Sequence, residues 1–146
     1  MNKPMIAAAL TLIITALIHA VAGGPQYLNL ILQADIPIQN ANEQKALYAV
    51  IWHAITVLFT VNGLALLTTV YLNKSAVTLG WTCIVQLLCF SALFIILGFS
   101  WLGEIMSLPQ WILFGFNICL LLWGINVERK QIPSAGAKAS KSAALS

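Results

Sequence analysis

Two histidines are the residues of this chain best suited to chemistry. His19 closes a long apolar stretch and His53 sits inside the next one. Neutral imidazole is a common ligand of transition metals and haem iron, and the ring carries protons near neutral pH. Polar groups in such apolar surroundings are expensive to bury and often functional. Around both histidines, small and polar residues recur at helical spacing. Thr11, Thr15, His19 and Gly23 step by four, while Ala49, His53, Thr56, Thr60 and Gly63 step by three or four. Each set therefore shares one helical face. Packing alone accounts for such stripes, because helices in lipid approach at small residues and hydrogen-bond through polar ones. The histidines are harder to explain by packing, although bonds to threonine or backbone carbonyls would satisfy them. Together with Trp52, Asn117 and Glu104, His19 and His53 form the candidate ligand-binding set. As a metal site the pair is sparse, since zinc normally takes three or four ligands.

The elements that must position these residues follow from composition. Of 146 residues, 60% are hydrophobic and 8% charged, and the mean hydropathy is +0.91. Soluble domains carry about a quarter charged residues. This chain has too little polar surface for a water-soluble globule, which disfavours soluble enzymes, disordered proteins and nucleic-acid binders together. The reading is one integral membrane domain whose first partner is the lipid bilayer.

A spanning helix needs about 20 apolar residues to cross roughly 30 Å of hydrocarbon. Four segments qualify, at about residues 5–22, 46–72, 76–98 and 110–127, and none contains Asp, Glu, Lys or Arg. Backbone groups in hydrocarbon must be satisfied within the segment, so these runs are predicted to be helices rather than strands. The expected fold is an all-α antiparallel bundle of four transmembrane helices over residues 1–130, followed by a disordered cytoplasmic tail over 131–146. That tail is rich in Ala, Ser, Gly and Lys and cannot bury enough apolar surface to fold.

The basic residues orient the bundle. Lys3, Lys74, Arg129, Lys130, Lys138 and Lys141 fall on one side of a four-span topology, and only Lys45 on the other, beside Asp35, Glu43 and Glu104. By the positive-inside rule both termini are cytoplasmic, and the 23–45 connection and the turn around 101–108 face outward. His19 and His53 then lie in the outer third of the bilayer, about 5 Å apart in depth at 1.5 Å per residue. A secretory signal peptide cleaved after Ala20-Val21-Ala22 is the competing reading of the first segment.

In the outer loop, Gly23-Gly24-Pro25 is expected to end the first helix, by a left-handed glycine cap followed by proline. Residues 27–33 are too short to span and read as an interfacial helix or re-entrant segment, stopped at Pro37. Ile38 to Lys45 reads as a solvated loop leading into the second span. The three cysteines, Cys83, Cys89 and Cys119, all lie in predicted spans without a C-x-x-C pair and read as buried small hydrophobes. No G-x-S-x-G, H-E-x-x-H or phosphate-binding glycine loop occurs.

The pattern His19-Ala20-Val21-Ala22-Gly23-Gly24-Pro25, followed by Tyr48-Ala49-Val50-Ile51-Trp52-His53, resembles a family of small uncharacterised bacterial inner-membrane proteins. The resemblance covers the first two helices and their connection. It implies a four-helix membrane protein and carries no activity with it.

Three function classes follow. The leading one is a non-enzymatic accessory or ligand-binding subunit of the bacterial inner membrane, with an outward-facing polar pocket at His19 and His53. The second is a redox protein using the histidines to hold haem or a transition metal. The third is a small oligomeric transporter or channel. The protein partner would be another membrane protein or further copies of this chain.

Overall fold

The computed structural model describes residues 2–35 and 40–143, and from 131 onward the backbone path alone. Pro37 and Ile38 lie outside the described residues, whereas Ala41 to Lys45 of the expected loop and helix start already belong to a helix. Helix accounts for all regular structure, with no strand among the described residues. The order is α1 (Lys3–Ile18), a π-helix (His19–Leu28), α2 (Asn29–Gln33), α3 (Ala41–Tyr71), α4 (Val77–Leu102), a short 3-10 turn (Ile105–Ser107) and α5 (Gln110–Ala143). Four stretches are long and apolar enough to cross a membrane: Lys3–Gln33, Ala41–Tyr71, Val77–Leu102 and Gln110–Lys130. Large apolar side chains such as Leu17, Val21, Leu47, Val50 and Phe99 are exposed along them. Exposed apolar surface on that scale suits lipid rather than water. The chain has the construction of a multi-pass membrane protein.

The first span corrects the sequence reading. Helix does not end at Gly23-Gly24-Pro25 but runs through it in π form, and the Asn29 N–H donates to the Gly24 carbonyl five residues back. Pro25 explains the change of winding. It has no N–H to donate, and in an α-helix its ring would collide with the carbonyl four residues earlier. A wider turn relieves the collision without breaking the rod, and leaves only the missing N–H. Segment 27–33 is correspondingly not a separate re-entrant piece: Tyr27 and Leu28 complete the π-helix and α2 continues from it. The left-handed glycine cap occurs elsewhere, at Gly103 (φ 76°), whose N–H bonds the Phe99 carbonyl and closes α4.

Packing divides the chain into two compact units, one made of the first eight residues and everything from Leu66 onward, the other of Ala9–Ala65. In the first unit α4 packs along α5. Its core includes Met5, Leu66, Cys83, Leu87, Leu121 and Ile125, all buried. A Cβ on Gly124 would lie 3.1 Å from the Met5 nitrogen, so the α1 and α5 backbones nearly touch there. Asn2 secures that crossing: its Nδ2 donates to the Gly124 carbonyl at 2.7 Å, and its Oδ1 accepts from the Met5 N–H at 3.3 Å. Cys83 is buried as expected, whereas Cys89 and Cys119 are exposed; all three are free thiols.

The start of α4 is capped from a distance. Ala76 stands at the N-cap position, where its side chain can accept nothing. The carboxylate of Glu128, on α5, instead accepts from the Ala76 N–H at 3.1 and 3.3 Å. Negative charge at a helix N-terminus also complements the helix dipole. Glu128→Ala is therefore expected to destabilise the protein by about 1–2 kcal/mol, and Glu128→Gln, which keeps an acceptor, by less. Thermal unfolding in detergent measures both, and equal losses would remove the charge from the account.

Beyond Lys130 the sequence predicts a disordered tail, yet the backbone stays helical through Ala143.

Candidate functional site

The unit formed by Ala9–Ala65 holds the clearest cluster of functional side chains. It begins with a close approach of backbones. A Cβ on Gly63 of α3 would stand 2.8 Å from the Ala9 carbonyl oxygen and 2.7 Å from Ile13 Cγ1 of α1. Only a residue without a side chain lets the two helices meet so tightly. Farther along the same pair, Trp52 lies over Gly23, where a Cβ would be 2.9 Å from the indole Cζ2. The glycine of the expected turn thus serves as the floor for a tryptophan.

That arrangement fixes His19, the first residue of the π-helix. Its imidazole stacks on the Trp52 indole, with ring centroids 4.1 Å apart and planes inclined by 20°. Its Nδ1 is hydrogen-bonded to Thr56 Oγ1 at 2.9 Å. The ring is held on its face and at one nitrogen, which leaves Nε2 as the atom that can act. Tyr27 and Tyr48 flank the indole with centroids 6.3 and 6.2 Å away. The Trp52 Nε1–H is buried and has no acceptor. An unpaired buried donor costs about 1–3 kcal/mol, and such groups concentrate where a ligand or water completes the site.

The proton on the neutral imidazole depends on which partner the Thr56 hydroxyl donates to. The Thr56 hydroxyl can donate to the Trp52 carbonyl only across 3.5 Å, at the outer limit for a hydrogen bond. His19 Nδ1, at 2.9 Å, is the better acceptor. Thr56 donating to Nδ1 leaves the proton on Nε2 and makes the free edge of the ring a donor.

His53 takes a different place. It is exposed, and no hydrogen bond among the described residues joins it to His19. Asn117 belongs to the other unit, where it is 2% exposed and its Nδ2 donates to the Ala8 carbonyl at 3.4 Å. Its Oδ1 is buried without a partner. Glu104 is exposed, just before the 3-10 turn. Of the candidate set, His19 and Trp52 are the two in direct contact. Among the described residues no group of three or more His, Cys, Asp or Glu side chains comes together.

Sequence reasoning overlooked Thr56 as the partner of His19, and Gly23, Tyr27 and Tyr48 as neighbours of Trp52. A signal existed: Tyr48, Trp52 and Thr56 are spaced by four and share one face of α3. The stripe drawn through His53 shares Thr56 with it but takes His53 in place of the adjacent Trp52. No family model, curated protein or solved structure matches this chain.

Proposed function

We propose that this chain is a non-enzymatic binding or accessory subunit of a bacterial inner membrane, with its site at His19. In this reading the four spans form one antiparallel bundle with both termini in the cytoplasm, and the His19 end of the first span faces outward. The observation that carries it is the fixed imidazole beside an unpaired tryptophan N–H. An unpaired indole N–H and an imidazole edge lie together there, and among the described residues no carboxylate is hydrogen-bonded to either. Such a site recognises rather than transforms.

Native mass spectrometry of protein extracted from its own membranes tests this. A small molecule or partner chain is expected to co-purify with the parent protein. His19→Ala should lose at least about tenfold of it, the equivalent of one well-made hydrogen bond, while still inserting. A parent carrying nothing, or a variant retaining everything, would overturn the proposal. Orientation is tested separately: reporter tags at either end should both read cytoplasm, on the six-to-one division of basic residues. A periplasmic C-terminus would reverse the bundle and place His19 on the inner side.

One observation favours a second reading. A histidine that ligates a metal or haem iron commonly has its other nitrogen held by a hydrogen bond, as Thr56 holds His19 Nδ1. That reading needs the opposite tautomer, with Nδ1–H donating to Thr56 and the Nε2 lone pair free. Nitrogen-15 NMR of the imidazole separates the two, and a visible absorption band lost in His19→Ala would decide for haem.

A further inference from the structure

We propose that the site takes a carbonyl oxygen from a molecule dissolved in the membrane, the oxygen accepting from the Trp52 indole N–H and the His19 Nε2–H. This rests on the binding-subunit reading above and names the ligand chemistry of that site. Indole nitrogen donates and never accepts, so whatever completes Trp52 must bring a lone pair. With Thr56 donating to Nδ1 at 2.9 Å, the free edge of His19 has the same polarity. Whatever completes the indole N–H is therefore an acceptor.

The surroundings say where the molecule comes from. Ile18, Val21, Val50 and Ile51, next in sequence to the two rings, are all more than half exposed. In a spanning helix such residues face acyl chains, so approach is lateral, from lipid. The N–H is closed off as the protein stands, and entry requires a neighbouring side chain to move. The ring neighbour of the indole on the first span is Tyr27, 49% exposed and 6.3 Å away by centroids. Two sources in a bilayer offer this chemistry: the ester carbonyl of a phospholipid, and the ring carbonyl of a quinone. The quinone would add stacking on the tyrosine and indole faces.

The test follows the Trp52 indole N–H by nitrogen-15 NMR of the full chain in nanodiscs, its resonance assigned by its loss in Trp52→Phe. One arm compares diester with diether phospholipids, which differ in the carbonyl. The other adds a short-chain quinone to diether discs. A downfield proton shift of the Trp52 N–H in the diester discs assigns the lipid ester, and one on adding quinone assigns the quinone. Either should be lost in His19→Ala and kept in His53→Ala. No shift in either arm overturns the carbonyl assignment. The binding reading itself survives that result if His19→Ala still strips the co-purified species, and falls with it if nothing is stripped.

Discussion

Gly63→Leu is expected to collapse the packing of the Ala9–Ala65 unit, while Leu64→Ala one residue along is expected to leave it nearly unchanged. A Cβ at position 63 already meets the Ala9 carbonyl oxygen at 2.8 Å and Ile13 Cγ1 at 2.7 Å. The isoleucine could rotate away, but the carbonyl is backbone and can move only with its helix. Overpacking of this kind typically costs about 1–3 kcal/mol, and a leucine adds three more carbons to a gap that rejects the first. Its loss should reach about 3 kcal/mol or more, and Gly63→Ala should fall between that and the parent. Leu64 is 51% exposed, so truncating it should change stability by about 0.5 kcal/mol or less. Melting in detergent ranks the three. Similar losses for Gly63→Leu and Leu64→Ala would mean that α3 turns a different face to α1. The expected loss also has a functional reading, because the same pair of helices presses Gly23 against Trp52.

How far such contacts can be read from sequence depends on which physical signal carries them. Span number and helical class come from bulk hydropathy, which needs no knowledge of partners, and four apolar helices are present. The stripe through Thr56, Thr60 and Gly63 was legible for the same reason, since a repeat of three or four defines a face. Gly23-Gly24-Pro25 was not. The residues that commonly end a soluble helix also permit a π-helix, and the local sequence does not choose between them. The choice lies in the following residues, which are apolar enough to extend the span. His53 fails for a finer reason. Adjacent residues on a helix differ by about 100°, so a stripe drawn one position off exchanges a packed tryptophan for an exposed histidine. Depth was the argument for pairing His19 with His53, and depth says nothing about rotation around the helix axis. The Glu128 cap was invisible too, because its donor is 52 residues away in sequence.

The same geometry gives the double-mutant cycle around His19 a definite expected outcome. His19→Ala and Thr56→Val each break the 2.9 Å bond, so the second substitution removes little that the first has not already removed. Their losses should be clearly non-additive, with a coupling of about 0.5–3 kcal/mol, the range for groups in contact. His19→Ala also takes away the stacking partner of Trp52, so it should be the more damaging single change, at about 1–3 kcal/mol. The cycle of His19→Ala with His53→Ala is the control. His53 is exposed and touches neither Thr56 nor Trp52 through any hydrogen bond among the described residues, so in protein without ligand these two losses should add within about 0.5 kcal/mol. Melting curves on parent, three single variants and two doubles supply every number required. Additivity between His19 and Thr56 would remove the fixed imidazole on which the binding site stands. Strong coupling between the two histidines would instead restore the pairing that their common depth implies, through a bound species held by both rings. Repeating the second cycle after exhaustive delipidation locates such a species, since coupling carried by a bound molecule vanishes with it and direct coupling does not.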